Sequence, residues 1–412
     1  MSLEQRFNQR RRYRMNIGKC TRPLGAATLM LLLAQAGAAQ ETLKLGISAP
    51  MSGSAATWGL GMEWAAEQAA EHVNEDGGVT VDGKTYNFEV VTYDNKYSAT
   101  EGARNAQTML NRDGVKFIAG SIGTAPVRAM QALTERNGVI LFNTAWGKSV
   151  KGPQFRYTFT QMNTPFEILE PFYSFIKEQH PDLETAVLIS PNDATGQELE
   201  PVAVETWKSL GVEMLASDWY ERGTTEFQPI ATKIASLDPG LVDFSAAPPT
   251  DVGSILKELD VLGWEGVKVM TAGTSVEALM AVAGDAAEGA YLGASADFSS
   301  DSATEVQKKL NAGAREALGE PLNGITISSY DAILALRAAM QEADSVDPEK
   351  IKDVLPSVRF DSSYGPSGFG GADVYDYPQQ MLIPVIVTQV VDGKAVELTR
   401  SNPAELEALS ND

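Results

Sequence analysis

Residues 43–79 place a strand, a short polar loop and a long helix one after another, and this order limits what the chain can fold into. Apolar residues alternate with other residues in the opening LKLGIS, which predicts a strand. Apolar residues then recur at helical spacing until Gly77 and Gly78, which predicts a helix that ends there. A strand that leads into a helix is half of a βαβ unit, and ligands of open α/β sheets bind beside such loops. Trp58 stands at this loop, where its ring either covers a ligand or packs the helix onto the sheet.

Short and nearly continuous apolar runs alternate with helical patterns along the rest of the chain. Strands are predicted at residues 87–93, 117–119, 139–142, 186–190, 212–215, 241–245 and 267–271. Strands of this composition are typical of parallel sheets that helices cover on both faces. We therefore predict an α/β protein with two doubly wound parallel-sheet lobes. Long helices are expected after residue 305, and strands again at 358–360, 381–391 and 395–398.

Residues 1–40 are predicted to be a signal peptide. Basic residues precede an apolar run at 24–34, and Ala36 and Ala38 occupy the positions that a signal peptidase reads. Cleavage near Ala38 places the mature protein in the periplasm, by either general or twin-arginine export. Met15 is an alternative start. No later apolar run approaches the roughly 20 residues of a membrane span.

Composition excludes several classes of function. The formal net charge of −21 argues against a nucleic-acid partner and an anionic membrane surface. The histidines, His72 and His180, lie in separate helical segments, so a metal site built from histidines is not expected. We expect no cofactor. The single cysteine, Cys20, lies in the predicted leader. A hydrolase is disfavoured because no GxSxG motif is present, and residues 365–371 (GPSGFGG) are predicted to form a turn.

Several short motifs carry a resemblance to a known family. They are LKLGISAPMSG at 43–53, WG at 58–59, NEDGGV at 74–79, YDN at 93–95, GVKFIAG at 114–120 and AGDAAEG at 283–289. In this order and spacing they resemble the type I periplasmic solute-binding proteins, in the leucine/isoleucine/valine-binding branch that serves ABC importers. The resemblance covers essentially the whole mature chain.

The resemblance implies two lobes joined by a three-segment hinge, with the ligand held between the lobes. Lobe one is expected to contain residues 41–158 and 293–379, and lobe two residues 159–292 and 380–412. It further implies a monomer that binds a small molecule, performs no catalysis and docks on ABC permease subunits at the inner membrane. A periplasmic sensor subunit that presents the bound form to a signalling receptor remains the alternative.

The turn at residues 120–126 (GSIGTAP) is the predicted anchor for a ligand carboxylate. A glycine-bearing turn between a strand and a helix offers backbone N–H groups and the positive end of the helix dipole. The resemblance places a carboxylate-binding hydroxyl on Thr124 and backbone contacts on Ala145 and Gly147. Ordinary capping of the helix is the other interpretation of Thr124.

The side that would bind an α-ammonium group departs from the family pattern. The family's acidic acceptor falls near Gly273 and Thr274, where this chain has no carboxylate, which leaves Asp193 in another loop as the candidate source of charge. Trp58 and Trp146 add indole rings. The sequence therefore favours an aromatic or otherwise apolar carboxylate over leucine. The predicted ligand-binding residues are Trp58, Ser121, Gly123, Thr124, Ala145, Trp146, Gly147, Asp193, Thr195, Pro248, Gly273 and Thr274.

Overall fold

Seventeen strands and thirteen α-helices are the main elements of residues 41–411, the part of the chain that the structure, a computed structural model, describes. The predicted signal peptide and its cleavage site lie outside that range. The strands, numbered along the chain, are β1 (Glu41–Ala49), β2 (Val79–Val81), β3 (Lys84–Asp94), β4 (Phe117–Ser121), β5 (Ile140–Asn143), β6 (Thr158–Thr160), β7 (Thr185–Pro191), β8 (Glu213–Tyr220), β9 (Leu241–Asp243), β10 (Val267–Met270), β11 (Tyr291–Leu292), β12 (Phe360–Ser362), β13 (Gly365–Ser367), β14 (Phe369–Gly370), β15 (Gln380–Met381), β16 (Val385–Val391) and β17 (Lys394–Ser401).

The helices cover the faces of the sheets and connect their strands. They are α1 (Ala56–Glu75), α2 (Ala99–Thr108), α3 (Thr124–Asn137), α4 (Pro165–Gln179), α5 (Ala194–Ser209), α6 (Gln228–Leu237), α7 (Pro249–Val261), α8 (Val276–Ala283), α9 (Glu305–Leu318), α10 (Gly324–Ala343), α11 (Pro348–Val354), α12 (Ala372–Tyr375) and α13 (Ala404–Asn411). Several begin at side-chain caps, such as the capping box of Thr164 and Glu167 on α4 and the Asn323 cap on α10.

Two large sheets define two lobes. The first sheet has the strand order β14-β15-β6-β5-β4-β1-β3-β2, and with α1–α3 and α9–α11 it forms what we call lobe one. The second has the order β17-β16-β11-β10-β9-β7-β8, and with α4–α8 it forms lobe two. The central strands of both sheets pair in parallel. Antiparallel pairing occurs at the sheet edges, where β2 pairs with β3, β14 with β15, and β16 with both β17 and β11. This is the predicted doubly wound α/β architecture with two lobes.

Both faces of each large sheet are buried, as the apolar strands predicted. On β4, Phe117 and Ala119 belong to the core under α1 and α10, whereas Ile118 belongs to a separate cluster under α2 and α3. On β7, Leu188 faces the core under α4 and α5, and Val187 faces the cluster under α6–α8. Alternate residues of one strand therefore stabilise opposite helical layers.

The chain passes between the two large sheets after β6, after β11 and after β15. The expected division assigned residues 380–412 to lobe two. The structure instead keeps β15 in the first sheet, where Gln380 pairs with Thr160, and it packs α13 against β13. The Glu405 carboxylate of α13 accepts a hydrogen bond from the Gly371 backbone N–H, at 2.9 Å, which ties this helix to the strands near lobe one.

Two local predictions differ from the structure. Residues 365–371 contain the short strands β13 and β14 rather than only a turn, because β12 and β15 supply partners from distant parts of the chain. The single strand predicted at 381–391 is divided into β15 and β16, which belong to different sheets. Both differences come from pairing partners that a local pattern does not reveal.

Candidate ligand-binding cleft

The loops that follow the parallel strands of both sheets meet in one cleft between the lobes. In each sheet the strand order reverses at this cleft, around β1 and β4 in lobe one and around β7 and β9 in lobe two. Open α/β sheets bind ligands outside the carboxyl ends of their strands at such points. A cavity there is lined by Trp58, Tyr97, Ile122, Thr144, Trp146, Thr195, Ala246, Ala272 and Ile325.

The cavity is small and mainly apolar. Its free volume is about 20 Å³, far below the roughly 300–1,000 Å³ of small-molecule pockets, so the lining residues must move apart before a ligand can enter. Trp58 and Trp146 are 2% and 5% exposed. Thr144 and Thr195 are the polar lining residues, and no lining residue is acidic. The chemistry of this lining suits a ligand with an apolar body.

Trp58 lies in the first turn of α1 and connects the two lobes. Its indole Nε1 donates a hydrogen bond to Thr274 Oγ1 of lobe two at 2.7 Å. Its ring centroid lies 6.4 Å from that of Tyr97, so two aromatic faces meet at one wall of the cavity. Trp58 therefore lines the cavity and also packs at the start of its helix.

Tyr97 owes its position to the buried side chain of Asn95. Asn95 Nδ2 donates to the backbone oxygens of Ser48 and Ile122, at 2.8 and 3.0 Å, and thereby joins the loops after β1 and β4. Its Oδ1 accepts from the Tyr97 backbone N–H at 2.8 Å. Tyr97 has a φ of 55°, a left-handed conformation that needs such support. Burial raises the pKa of Tyr97 and the Arg222 charge opposes that rise, so the phenol keeps its proton at neutral pH.

Thr124 and Thr195 bring the amino ends of α3 and α5 together across the cleft. The Thr124 backbone N–H donates to Thr195 Oγ1 at 3.2 Å, and Thr195 Oγ1 donates to Thr124 Oγ1 at 3.0 Å. Thr124 Oγ1 also accepts from the Gly147 N–H at 3.1 Å. The residue at the cap position of α3 is Gly123, so capping does not account for the Thr124 hydroxyl. In this structure the predicted carboxylate anchor is engaged by Thr195 of the opposite lobe.

Two glycines permit this close approach. Gly123 has a φ of 96°, which strains any other residue. A Cβ on Gly147 would lie 2.7 Å from Glu198 Oε2 and would also overlap the methyl group of Thr124. A side chain at residue 147 would therefore push α5 of lobe two away from lobe one.

Arg222 and Asp193 form an ion pair beside the cavity. The Arg222 Nε donates to Asp193 Oδ2. Asp193 Oδ1 accepts from the backbone N–H groups of Thr195 and Gly196, at 2.9 and 3.0 Å, and so caps α5. The guanidinium carbon of Arg222 lies 3.9 Å from the centroid of the Tyr97 ring, which belongs to lobe one. Both oxygens of Asp193 are thus engaged within the protein.

The remaining predicted residues lie close to the cavity but do not line it. Ser121 is buried and directs its Oγ to Met130 Sδ at 3.4 Å. Ala145 is buried in the cluster under α2 and α3. Pro248 is the residue before α7, and Gly273 follows the lining residue Ala272 and donates its N–H to the Met270 oxygen.

The sequence analysis did not predict several residues that line the cavity or lie beside it. Ile122, Thr144, Ala246 and Ala272 stand in loops that the sequence had indicated, one or two positions from the chosen residues. Ile325 comes from α10, far along the chain, and no local pattern marks it. Tyr97 comes shortly after the strand predicted at 87–93, which was an available signal. Arg222 follows β8 in the structure, but the strand predicted there ended at residue 215, so its position was not indicated.

The described residues hold no cluster of His, Cys, Asp or Glu with the geometry of a metal site. Within residues 41–411, none of the helices combines the length and the apolar character that crossing a bilayer requires.

A comparison with known families identifies the chain. The periplasmic binding protein family matches residues 42–394. The chain belongs to this family. Its relatives are the ones that the sequence motifs suggested, and these relatives are named as binding proteins rather than as enzymes.

Individual relatives are distant in sequence but similar over their full length. The leucine-, isoleucine-, valine-, threonine- and alanine-binding protein of Pseudomonas aeruginosa is 23% identical over 84% of this chain and 90% of its own. A crystal structure of a leucine binding protein from Thermotoga maritima has a TM-score of 0.74 at 20% identity, covering 88% of this chain and 100% of that one. An ABC transporter solute binding protein from R. palustris in complex with 4-hydroxybenzoate also has a TM-score of 0.74 at 20% identity, covering 90% and 100%. These structures establish the shared fold.

Proposed function

We propose that this protein is the periplasmic substrate-binding protein of an ABC transporter and that it captures a small aromatic or apolar carboxylate between its lobes. The observation that carries the proposal is the cavity itself, which has aromatic walls and no acidic lining residue. The ligand would be released unchanged to a permease at the inner membrane. Family membership supports the transport role, and the cavity supports the ligand class.

The walls favour a flat apolar ligand. Trp58, Tyr97 and Trp146 present three aromatic rings, and Ile122 and Ile325 add aliphatic surface. Aromatic pairs gain roughly 0.5–1.5 kcal/mol beyond the area that they bury. A ligand ring between these side chains would contact lobe one and, through Ala246 and Ala272, lobe two.

An α-amino acid fits this cavity less well than a simple carboxylate. A buried ammonium group needs an acidic or several neutral acceptors. The nearest acid in the predicted set, Asp193, already accepts from Arg222 and from two backbone N–H groups. The amino ends of α3 and α5, in contrast, favour a negative group between them.

Thermal shift and calorimetric titration test the proposal. Protein freed of bound ligand would be titrated with benzoate and 4-hydroxybenzoate, and separately with leucine, isoleucine and valine. We expect the aromatic acids to raise the melting temperature, since a ligand at 100 times its Kd adds about 2.7 kcal/mol to the free energy of unfolding. Tight binding of leucine without any response to the aromatic acids would refute the assigned ligand class.

A pair of tryptophan variants links the response to the cavity. Trp146→Leu removes a lining ring and is expected to weaken binding of the aromatic acid. Trp219→Leu changes a tryptophan on β8 that is 38% exposed and does not line the cavity, so its affinity should equal that of the wild type. Equal losses in both variants would contradict the assignment of the cavity.

A further inference from the structure

The guanidinium group of Arg222 has buried hydrogen-bond donors that no described residue accepts from. Its Nη1 and Nη2 atoms are shielded from solvent and have no hydrogen-bond partner among residues 41–411. The side chain as a whole keeps 18% of its surface exposed, so the terminal nitrogens are its enclosed part. A buried donor without a partner lowers the stability of the folded protein, and more so when it is charged. Such a cost is offset when a ligand supplies the acceptor.

The guanidinium is held rigidly. Asp193 binds its Nε edge, and the Tyr97 ring covers its face at 3.9 Å. Asp193 is itself fixed as the cap of α5. These contacts leave the edge formed by Nη1 and Nη2, whose two N–H groups match the two oxygens of a carboxylate.

Arg222 does not line the cavity itself but packs against Tyr97 and Asp193, next to the Thr124–Thr195 contact. Tyr97, which Arg222 covers, places its Oη 3.2 Å from Thr195 Oγ1, and Thr195 lies two residues after Asp193. Tyr97 and Thr195 both line the cavity. A negative group beside the Thr124–Thr195 contact would meet the guanidinium and the amino ends of α3 and α5.

We propose that Arg222 is the charge partner of the ligand carboxylate and binds it through Nη1 and Nη2. This inference rests on the proposed function and specifies it: the anion is recognised by a side chain of lobe two, in addition to the lobe-one turn at Thr124. The aromatic body of the ligand lies against Trp58, Tyr97 and Trp146. A ligand held in this way joins the lobes, because its ring contacts lobe one and its charge contacts lobe two.

The test compares acids with their neutral amides on Arg222 variants of the full mature protein. The ligands are benzoate and 4-hydroxybenzoate, each paired with benzamide or 4-hydroxybenzamide, and affinities are measured by calorimetry. We expect Arg222→Gln to weaken acid binding roughly 10- to 100-fold, the range for hydrogen bonds to charged groups, while amide affinity stays nearly constant. Arg222→Lys keeps the charge without the paired donors and should fall between wild type and Arg222→Gln.

The matched control is Arg156→Gln. Arg156 is 51% exposed and pairs with Asp353 on the surface of the protein, so this variant makes the same charge change without altering the affinity for acids. Melting temperatures of all variants report whether they fold. If Arg222→Gln does not fold, the acid-to-amide ratio of Arg222→Lys gives the result.

The outcomes separate this inference from the proposed function. If the wild type binds aromatic acids and Arg222→Gln keeps both the affinity and the acid-to-amide ratio, the inference is wrong and the proposed function stands. If the wild type binds neither aromatic acid, the aromatic ligand class of the proposed function and this inference are both wrong. A large decrease in the ratio of acid affinity to amide affinity for Arg222→Gln, but not for Arg156→Gln, supports both.

Discussion

At the scale of single residues, a buried carboxyl group in lobe one makes stability depend on pH. Asp331 of α10 is 1% exposed, and its oxygens accept from the Ser363 N–H at 2.6 Å and from Ser363 Oγ at 2.8 Å. Burial raises the pKa of Asp331 from 3.8 to about 7, although the Ser363 hydrogen bonds oppose the rise. The folded protein therefore holds this proton at pH values where the unfolded chain has lost it.

Asp331→Asn should remove part of this pH dependence. Because the folded pKa is the higher one, the contribution of Asp331 to the free energy of unfolding is complete below about pH 4 and is lost as the pH rises through about 7. The amide does not titrate, so the variant's melting temperature should decline less than that of the wild type between pH 5 and pH 8. Asp361→Asn, an exposed carboxyl on β12, serves as the control and should follow the wild type. Identical slopes for Asp331→Asn and the wild type would contradict the assignment.

At the scale of elements, the loop after β3 shows how one side chain organises a binding surface. Asn95 joins the loops after β1 and β4 and supports Tyr97, which lines the cavity. The loop contains two consecutive non-glycine residues with positive φ, Lys96 at 50° and Tyr97 at 55°. Strained residues of this kind persist when their surroundings hold them in place.

Asn95→Ala should reduce both stability and ligand affinity. It removes the hydrogen bonds that Asn95 donates to the Ser48 and Ile122 oxygens and accepts from the Tyr97 N–H, although the Ser48 oxygen still accepts from the Ile122 N–H at 3.3 Å. A buried group left unsatisfied costs roughly 1–3 kcal/mol. Tyr97 would then move from the cavity wall, so the affinity for an aromatic acid should fall more than stability alone explains. Denaturant unfolding and calorimetry measure the two effects. Asn137→Ala, at the exposed last residue of α3, removes only a local hydrogen bond to the Leu133 oxygen and should leave the affinity unchanged.

At the scale of the whole molecule, contacts outside the cavity hold the lobes together. Glu198 on α5 of lobe two accepts from the Ser149 N–H at 2.9 Å and from Ser149 Oγ at 2.6 Å, both in lobe one. Arg128 of lobe one lies 3.9 Å from the same carboxylate. These contacts exist only when the lobes are together, so they contribute to the free energy of closure. A ligand shifts that equilibrium by no more than its differential affinity for the two states.

Glu198→Ala should therefore favour the open arrangement. We expect a larger radius of gyration by small-angle X-ray scattering without ligand, and a moderately weaker apparent affinity, about tenfold, for every ligand alike. The acid-to-amide ratio should not change, which separates closure from recognition by Arg222. Glu205→Ala, an exposed residue of the same helix, is the control. An unchanged radius of gyration together with unchanged affinity would show that Glu198 does not contribute to closure.

Much of this architecture is readable from local pattern. The apolar strands, the helical spacing and the glycine stops depend on neighbouring residues, and they predicted two doubly wound lobes and the strand ends that ligands approach. Parallel pairing places those strand ends on one edge of each sheet. The segments that follow the strands, which contain Trp58, Thr124, Trp146 and Thr195, could therefore be predicted from the sequence. The sequence also showed that residues 272–274 contain no acidic side chain. An acidic partner for a ligand ammonium group would therefore have to come from another segment of the chain.

Only the tertiary structure decided which side chains share the cavity and what each already binds. Ile325 reaches it from a helix near the end of the chain, Asn95 aims Tyr97 at it, and Asp193 is committed to Arg222 instead of a ligand amine. The enclosed edge of Arg222 exists because β8, the loop after β7 and the Tyr97 ring of the other lobe converge. Such convergence depends on burial and on distances between residues far apart in sequence, which no local pattern encodes.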